Sequence, residues 1–173
     1  HVAIAAMQQL VASDPALHLR VVGDGPERAA LEVQVREAGL GARVQFVGAL
    51  APEQVAEEYA EAELFVMPAI TDWKGEQEGF GLVLVEAIRA GVPVIASASG
   101  GIADVIKAGE TGVLVPEGDA TALAAAVTAL RADPAKSESM AANARRDVDA
   151  RFSASAIAAA YEAAYQQAVQ RAR

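Results

Sequence analysis

Short apolar segments alternate with segments of helical periodicity along this chain of 173 residues, and no other feature constrains its fold as strongly. Runs with the length and composition of β-strands occur at residues 17–22, 44–47, 64–67, 92–96 and 111–115. Helical segments separate them, joined by short connections that contain Gly or Pro. Such an alternation predicts an α/β fold with a parallel, doubly wound sheet of the Rossmann-like type.

The beginning of the chain predicts a helix that has no strand before it. Ile4, Met7 and Val11 have helical spacing, and the sequence opens with His1. In a regular alternation a strand precedes this helix, so we expect the first strand of the sheet to lie upstream of residue 1. Because no linker-like segment divides residues 1–173, we expect one domain, with a C-terminal helical extension from about residue 136.

Composition excludes several functional classes. The chain has no Cys, which excludes disulfides, zinc–thiolate sites and thiol nucleophiles. Lys and Arg total 14 against 23 Asp and Glu, a formal net charge of −9, whereas nucleic acids and anionic membrane surfaces attract clustered positive charge. No apolar run approaches the roughly 20 residues that a membrane-spanning helix requires. We therefore expect a globular domain that binds no nucleic acid.

Two short motifs suggest other chemistries but lack their further requirements. Gly23-Asp24-Gly25 resembles the start of a dinucleotide fingerprint, yet Arg28 replaces its third glycine and no acidic residue follows about twenty positions on. The segment 147–149 has the D-x-D spacing of some metal-dependent transferases, but its alternating charges indicate a solvated helix face. We therefore expect neither a nicotinamide site nor a metal site.

The polar, Gly-rich stretch at residues 70–81 predicts a binding site. It follows an apolar strand and precedes a helix, and open α/β sheets bind ligands where their strands end. Free N–H groups at a helix N-terminus favour phosphate. Glu78 just before the helix and Glu86 about one turn inside it can flank one ligand, and carboxylates accept hydrogen bonds from sugar hydroxyls. The alternative interpretation is that the segment binds no ligand, so that it contains only a helix cap and one Glu exposed to solvent.

The sequence from Glu78 to Glu86, EGFGLVLVE, resembles the motif of two Glu residues separated by seven others in retaining group-one glycosyltransferases (family four). Other segments resemble the family in the same order along the chain, at residues 22–26, 44–48, 91–96, 100–104 and 109–116. The resemblance extends from about residue 2 to 131. It implies the C-terminal, donor-binding half of a GT-B enzyme, in which two Rossmann-like domains face each other across a cleft.

The resemblance also implies a role for each matching residue. Glu78 is expected to contact hydroxyls of the donor sugar as the catalytic carboxylate, and Glu86 to bind the ribose hydroxyls. The remaining donor-binding residues contribute mainly their main chain. The sugar and the distal phosphate would be contacted by Gly79, Phe80, Gly81 and Leu82. The base would be contacted by Val47 and Gly48, and the phosphates would lie near Gly23. Asp104 stands where the family usually has Glu. In the family, an Arg and a Lys near the diphosphate come before the segment that this sequence matches, so no residue here corresponds to them.

The implied reaction transfers a sugar from a nucleoside-diphosphate sugar to an acceptor hydroxyl, with retention at the anomeric carbon and without a metal or other cofactor. The family's N-terminal domain would bind the acceptor and make any membrane contact of a cytoplasmic, peripheral enzyme. The isolated chain is therefore expected to be inactive. Two alternatives remain open, a non-catalytic GT-B-like interaction module and another nucleotide-sugar enzyme such as an epimerase. The sequence leaves the sugar, the base and the acceptor undefined.

Overall fold

Five strands and eight helices follow one another in the predicted order across residues 1–171, which are the residues that this computed structural model describes. The strands are β1 (Leu19–Val22), β2 (Val44–Gly48), β3 (Phe65–Met67), β4 (Val94–Ser97) and β5 (Val113–Val115). The helices are α1 (Val2–Leu10), α2 (Arg28–Glu37), α3 (Pro52–Glu61), α4 (Leu82–Arg89), α5 (Ile102–Val105), α6 (Ala120–Ala132), α7 (Pro134–Phe152) and α8 (Ala154–Arg171).

All strand pairs of the described residues are parallel, which confirms the predicted α/β class. The strands form two sheets, however, one with the order β1-β2 and one with the order β3-β4-β5. Leu19 pairs with Val44 in the first sheet, and Ile95 lies opposite Val113 in the second. One edge each of β1, β2, β3 and β5 therefore has no strand partner within residues 1–171. A strand upstream of residue 1 stays a prediction.

Strand β4 separates two apolar cores. Ile95 packs into a core formed mainly by α1 and α6, whereas Val94 and Ala96 pack into a core formed by α4, α5 and α7. Successive side chains of a strand point to opposite faces, so one buried strand serves both cores. Strand β3 also contacts both cores, through Val66 on one face and Phe65 on the other, but is only partly buried. Its apolar run, Leu64 to Met67, is typical of a strand buried on both faces, but the edge position of β3 prevents full burial.

Strand β4 begins at Val94, two residues later than its apolar run predicts. Pro93 has no N–H group and cannot donate to a strand ladder, so it precedes the strand. Its carbonyl oxygen still accepts a hydrogen bond from the N–H group of Phe65 at 2.9 Å. The proline thereby fixes the point at which β3 and β4 begin to pair.

Helix α6 begins after the N-cap residue Asp119. Oδ1 of Asp119 accepts a hydrogen bond from the N–H group of Ala122 at 2.8 Å. Removing this acceptor by Asp119→Ala should lower the free energy of unfolding by about 1 kcal/mol, as measured by urea denaturation. Asp119→Asn keeps an acceptor and should cost only a few tenths of a kcal/mol. An equal loss in both variants would contradict the capping role.

Helix α8 begins after Ser153, whose Oγ accepts a hydrogen bond from the N–H group of Ala156 at 3.2 Å. Ser153 is therefore the N-cap of this helix. The apolar residues that repeat along it at steps of four are exposed, and α8 has no buried residue. They are Ile157, Tyr161, Tyr165 and Val169. None of the helices within residues 1–171 combines the length and the apolar composition needed to cross a membrane.

Candidate donor-binding site

The segment between β3 and α4 lies at the sheet edge where the parallel strands β3, β4 and β5 end. Thr71 contacts Glu117, which follows β5, and Glu78 contacts Gly101, which follows β4. The segment therefore spans the carboxyl ends of all three strands. Open α/β sheets place their ligands at this edge.

Glu78 caps helix α4. Its Oε1 accepts hydrogen bonds from the N–H groups of Gly81 at 3.1 Å and Phe80 at 3.3 Å. Gly81 precedes the helix with a φ of +74°, a conformation that residues with a Cβ rarely adopt. Two main-chain donors thus converge on one anionic oxygen, at the end of the helix that carries partial positive charge. The capping interpretation of Glu78 therefore describes the geometry of the ligand-free chain.

The other two predicted main-chain donors of this segment are free. The N–H groups of Gly79 and Leu82 have no acceptor among residues 1–171. Leu82 begins α4, and its side chain is 68% exposed. The helix N-terminus therefore keeps unused donors, and an incoming anion gains further donors if it displaces the Glu78 carboxylate.

Gly100 and Gly101 allow two segments of main chain to pack directly against each other. The N–H group of Gly101 donates to the carbonyl oxygen of Glu78 at 3.0 Å. A Cβ on Gly100 would lie 2.1 Å from that oxygen, and a Cβ on Gly101 would lie 2.0 Å from the carbonyl oxygen of Gly79. No side chain fits at either position without displacing the main chain of the site. The two glycines therefore determine the position of residues 78–79.

A second set of contacts holds the beginning of the same segment. The Glu117 carboxylate accepts hydrogen bonds from the N–H group of Thr71 and, at 3.0 Å, from its hydroxyl. The side-chain amide of Gln77 donates to the same hydroxyl oxygen at 3.0 Å. The hydrogen bonds from the main chain and side chain of Thr71 lower the pKa of Glu117. Residues 71 and 77 are thus tied to the segment that follows β5.

Glu86 lies exposed on α4, and its carboxylate contacts Tyr59 of α3. The Tyr59 hydroxyl lies 3.4 Å from Oε2 of Glu86 and 3.1 Å from the carbonyl oxygen of Val83. Burial, reinforced by the negative charge of Glu86, raises the pKa of Tyr59 to about 12. The spacing of Val55, Tyr59 and Ala62 places Tyr59 on one face of α3, but it does not predict this contact. Helical spacing indicates which face a residue occupies but not the partner of its hydroxyl.

The remaining predicted residues lie together at the ends of β1 and β2. The N–H group of Gly23 donates to the carbonyl oxygen of Gly48 at 2.8 Å, and Val47 precedes that glycine in β2. Gly48 has a φ of +81°. Within the described part of the chain, no hydrogen bond or ion pair joins these residues to Glu78 or Glu86. The predicted site residues therefore form two groups, one on each sheet.

Arg28 is a cation next to the group on β1 and β2. Its Nε lies 2.9 Å from Glu32, and its Nη1 lies 3.3 Å from Asp24. A Cβ on Gly48 would approach Nη1 to 3.3 Å, so the guanidinium lies against this glycine. The sequence suggested only that Arg28 replaces a glycine. In the ligand-free chain its guanidinium is paired with these two carboxylates.

The D-x-D segment takes part in ion pairs. Asp147 lies 2.6 Å from Nζ of Lys107 and also contacts Arg151, and its side chain is only 13% exposed. Asp149 lies 3.4 Å from Arg89. The prediction of a solvated face is therefore wrong for Asp147, because two cations from α7 and from the segment after α5 cover it. In the described part of the chain, no group of three or more metal-ligating side chains is placed to hold a metal ion.

Concave surface occurs elsewhere on the molecule. A cavity of about 570 Å³ lies between α2 and β2 and is lined in part by Val35 and Phe46. Another of about 490 Å³ lies beside α7 and is lined in part by Lys107 and Asp147. Neither includes Glu78 or Glu86. These cavities and the predicted donor site do not coincide.

The chain is similar in sequence to known glycosyltransferases. The family model described as glycosyl transferases group 1 matches residues 1–147. The putative colanic acid biosynthesis glycosyltransferase WcaL of Salmonella typhimurium is 35% identical over 158 residues, which cover 91% of this chain and 39% of that protein. The chain spans well under half the length of the curated relatives that it matches first.

Solved structures show the same relationship in three dimensions. Sucrose-phosphate synthase from Thermosynechococcus elongatus has a TM-score of 0.79 and 38% identity, and the match covers 98% of this chain and 43% of that one. HepE from Anabaena, solved in complex with UDP-glucose, has a TM-score of 0.80 and 27% identity, with coverage of 98% and 44%. In both proteins the matched part is less than half of the chain.

Proposed function

Because this chain belongs to the family of glycosyl transferases group 1, we propose that it binds a nucleoside-diphosphate sugar as the donor-binding half of a retaining hexosyltransferase. It has the fold of the C-terminal half of GT-B glycosyltransferases. We assign acceptor binding, and any membrane contact of a cytoplasmic enzyme, to a second domain across the cleft. The isolated chain then binds donor but does not transfer sugar.

The observation that carries the proposal is the arrangement of Glu78 and Glu86 around the N-terminus of α4. The helix end offers main-chain donors to a diphosphate: those of Gly79 and Leu82 are free, and those of Phe80 and Gly81 are occupied by Glu78. The carboxylates offer acceptors to sugar and ribose hydroxyls. HepE, a structural neighbour, binds UDP-glucose, which supports a donor of this chemical class.

In the proposed reaction, the bond between the anomeric carbon and the distal phosphate oxygen breaks while the oxygen of an acceptor hydroxyl bonds to the same face of that carbon. The proton of that hydroxyl passes to the departing phosphate oxygen. Negative charge develops on the departing diphosphate, where the N–H groups of Gly79 and Leu82 and the α4 dipole stabilise it. Glu78 holds the sugar through its hydroxyls. None of these roles requires a metal ion, in keeping with the predicted absence of a cofactor.

Titration with nucleotides tests the proposal. We expect one of UDP, GDP or ADP to bind, and NAD to bind more weakly than that nucleotide. Glu86→Ala should weaken the binding by about 10- to 100-fold, because hydrogen bonds to a charged group contribute about 1.5–3 kcal/mol. Calorimetry gives the affinity, and amide shifts of residues 79–82 give the location.

The matched control is Glu57→Ala, which removes an exposed carboxylate of α3 that has no hydrogen-bond partner among the described residues. It should leave nucleotide affinity within a factor of two. Equal affinity of the parent and Glu86→Ala would contradict the assignment of Glu86. If the chain binds none of the nucleotides, the same titration is made on the full-length protein, where failure to bind would favour an interaction module.

A further inference from the structure

The side chain of Tyr59 is fixed from two directions. Its ring packs edge-on against Phe65 at the start of β3, with ring centroids 5.8 Å apart and an interplanar angle of 66°. Its hydroxyl reaches the first turn of α4, where it contacts the carbonyl oxygen of Val83 and the carboxylate of Glu86. The aromatic contact sets the direction of the side chain, and the hydroxyl then meets α4 at a defined place.

The Tyr59 hydroxyl has one proton and two acceptors within reach. The carbonyl oxygen of Val83 is nearer, at 3.1 Å, whereas Oε2 of Glu86 at 3.4 Å carries negative charge. Charged acceptors attract a donor more strongly than neutral ones at a given distance. The ordinary pKa of tyrosine already lies well above neutral pH, and burial raises the pKa of Tyr59 further, so the phenol retains this proton and remains a donor.

Tyr59 is the one side chain that anchors Glu86 in the described part of the molecule. No other hydrogen bond or ion pair to the Glu86 carboxylate occurs among residues 1–171. A solvent-exposed Glu on a helix otherwise samples several rotamers, and ordering it on binding costs free energy. One oxygen, Oε2, is held by the phenol, and Oε1 stays available to a ligand.

We propose that Tyr59 is a positioning residue for Glu86, whose hydroxyl holds Oε2 so that Oε1 accepts hydrogen bonds from the ribose hydroxyls of the nucleotide. This inference rests on the function proposed above. Tyr59 makes no contact with the nucleotide in this scheme. It reduces the rotamer entropy that Glu86 loses when the donor binds.

Tyr59→Phe is the direct test, because it keeps the ring against Phe65 and removes only the hydroxyl. In the full-length protein we expect it to weaken UDP binding by about 3- to 10-fold, the range of a single hydrogen bond. GDP or ADP replaces UDP if it binds better in the titration above. Tyr161→Phe removes the hydroxyl of an exposed residue on α8 and should leave affinity unchanged.

Two comparisons separate positioning from a purely structural role. Tyr59→Phe should have no effect in a Glu86→Ala background, since the group that it positions is gone. It should also leave the affinity for the 2′,3′-dideoxy analogue of UDP unchanged, because this analogue lacks the hydroxyls that Glu86 binds. If Tyr59 merely holds α3 to α4 through the carbonyl of Val83, its loss weakens binding equally in all three cases, and the proposal is overturned.

Failure of this inference and failure of the proposed function give different results. If Glu86→Ala leaves UDP affinity unchanged, the assignment of Glu86 in the proposed function is wrong. If Glu86→Ala weakens binding and Tyr59→Phe does not, only the role of Tyr59 is overturned.

A measurement without nucleotide tests the same role. NMR couplings of the Glu86 side chain should show one dominant rotamer in the parent chain and an average over several rotamers in Tyr59→Phe. Identical couplings overturn the positioning role.

Discussion

Glu78→Ala should lower sugar transfer by the full-length protein by about 10- to 100-fold, because each hydrogen bond that a sugar hydroxyl donates to a carboxylate contributes about 1.5–3 kcal/mol. The affinity for UDP without sugar should be retained or increased. In the ligand-free chain the Glu78 carboxylate occupies the N–H groups of Phe80 and Gly81, so its removal frees two donors for the diphosphate. Opposite effects on transfer and on UDP binding would distinguish contact with the sugar from a general loss of structure.

Two further variants sharpen the Glu78 experiment. Glu76→Ala removes another exposed carboxylate of the same segment, whose side chain has no hydrogen-bond partner among the described residues, and should leave transfer unchanged. Glu78→Gln keeps an acceptor oxygen without the charge and should fall between the parent and Glu78→Ala. Circular dichroism should show retained fold in all three variants. Unchanged turnover in Glu78→Ala would contradict its catalytic assignment.

Gly101→Ala should abolish measurable nucleotide binding in a chain that still folds. The Cβ would lie 2.0 Å from the carbonyl oxygen and 2.9 Å from the carbonyl carbon of Gly79, and main-chain atoms cannot rotate away as a side chain can. Gly101 has a φ of −75°, which alanine adopts freely, so the effect is steric. Residues 78–80 must move, which breaks the hydrogen bond from Gly101 to Glu78. We expect a stability loss of about 1–3 kcal/mol.

The matched control for Gly101→Ala is Gly41→Ala. A Cβ at Gly41 meets no atom within 4 Å, and its φ lies outside the left-handed region. This variant should change both stability and nucleotide affinity little. Amide spectra should show the shifts in Gly101→Ala concentrated at residues 78–81. Native spectra and native affinity in Gly101→Ala would show that the main chain of the site tolerates displacement.

The order of elements and the parallel class could be predicted from the sequence because strand and helix periodicity are local properties. The predicted bounds of the strands were less accurate where a single residue disrupts pairing. Pro93 has no N–H group to donate to the neighbouring strand, so β4 begins later than its apolar run indicates. The N-cap role of Asp119 was predictable, since a cap and its helix are adjacent in sequence. The division into two sheets depends on which strands meet, and periodicity does not encode that.

In the candidate site, too, features that are local in sequence were predictable, whereas contacts between distant residues were not. Glu78 and Glu86 stand out because they flank one helix N-terminus at a distance fixed by the chain. The contact of Tyr59 with Glu86 joins positions 27 residues apart, and the pairing of Thr71 with Glu117 spans 46. Such contacts depend on how α3, α4 and the segment after β5 pack. The capping of α4 by Glu78 is local, and the sequence offered it only as an alternative to ligand binding.

The unpaired outer strand edges of the two sheets in the described residues affect the behaviour of the chain in solution. Exposed strand edges carry N–H and C=O groups that can pair with another copy, which makes them starting points for aggregation. The net charge of −9 makes the copies repel one another, and added salt screens that repulsion. Colloidal stability is therefore a balance between edge pairing and charge. Dilute protein at low ionic strength favours the monomer, whereas concentrated protein at high ionic strength favours association through the strand edges.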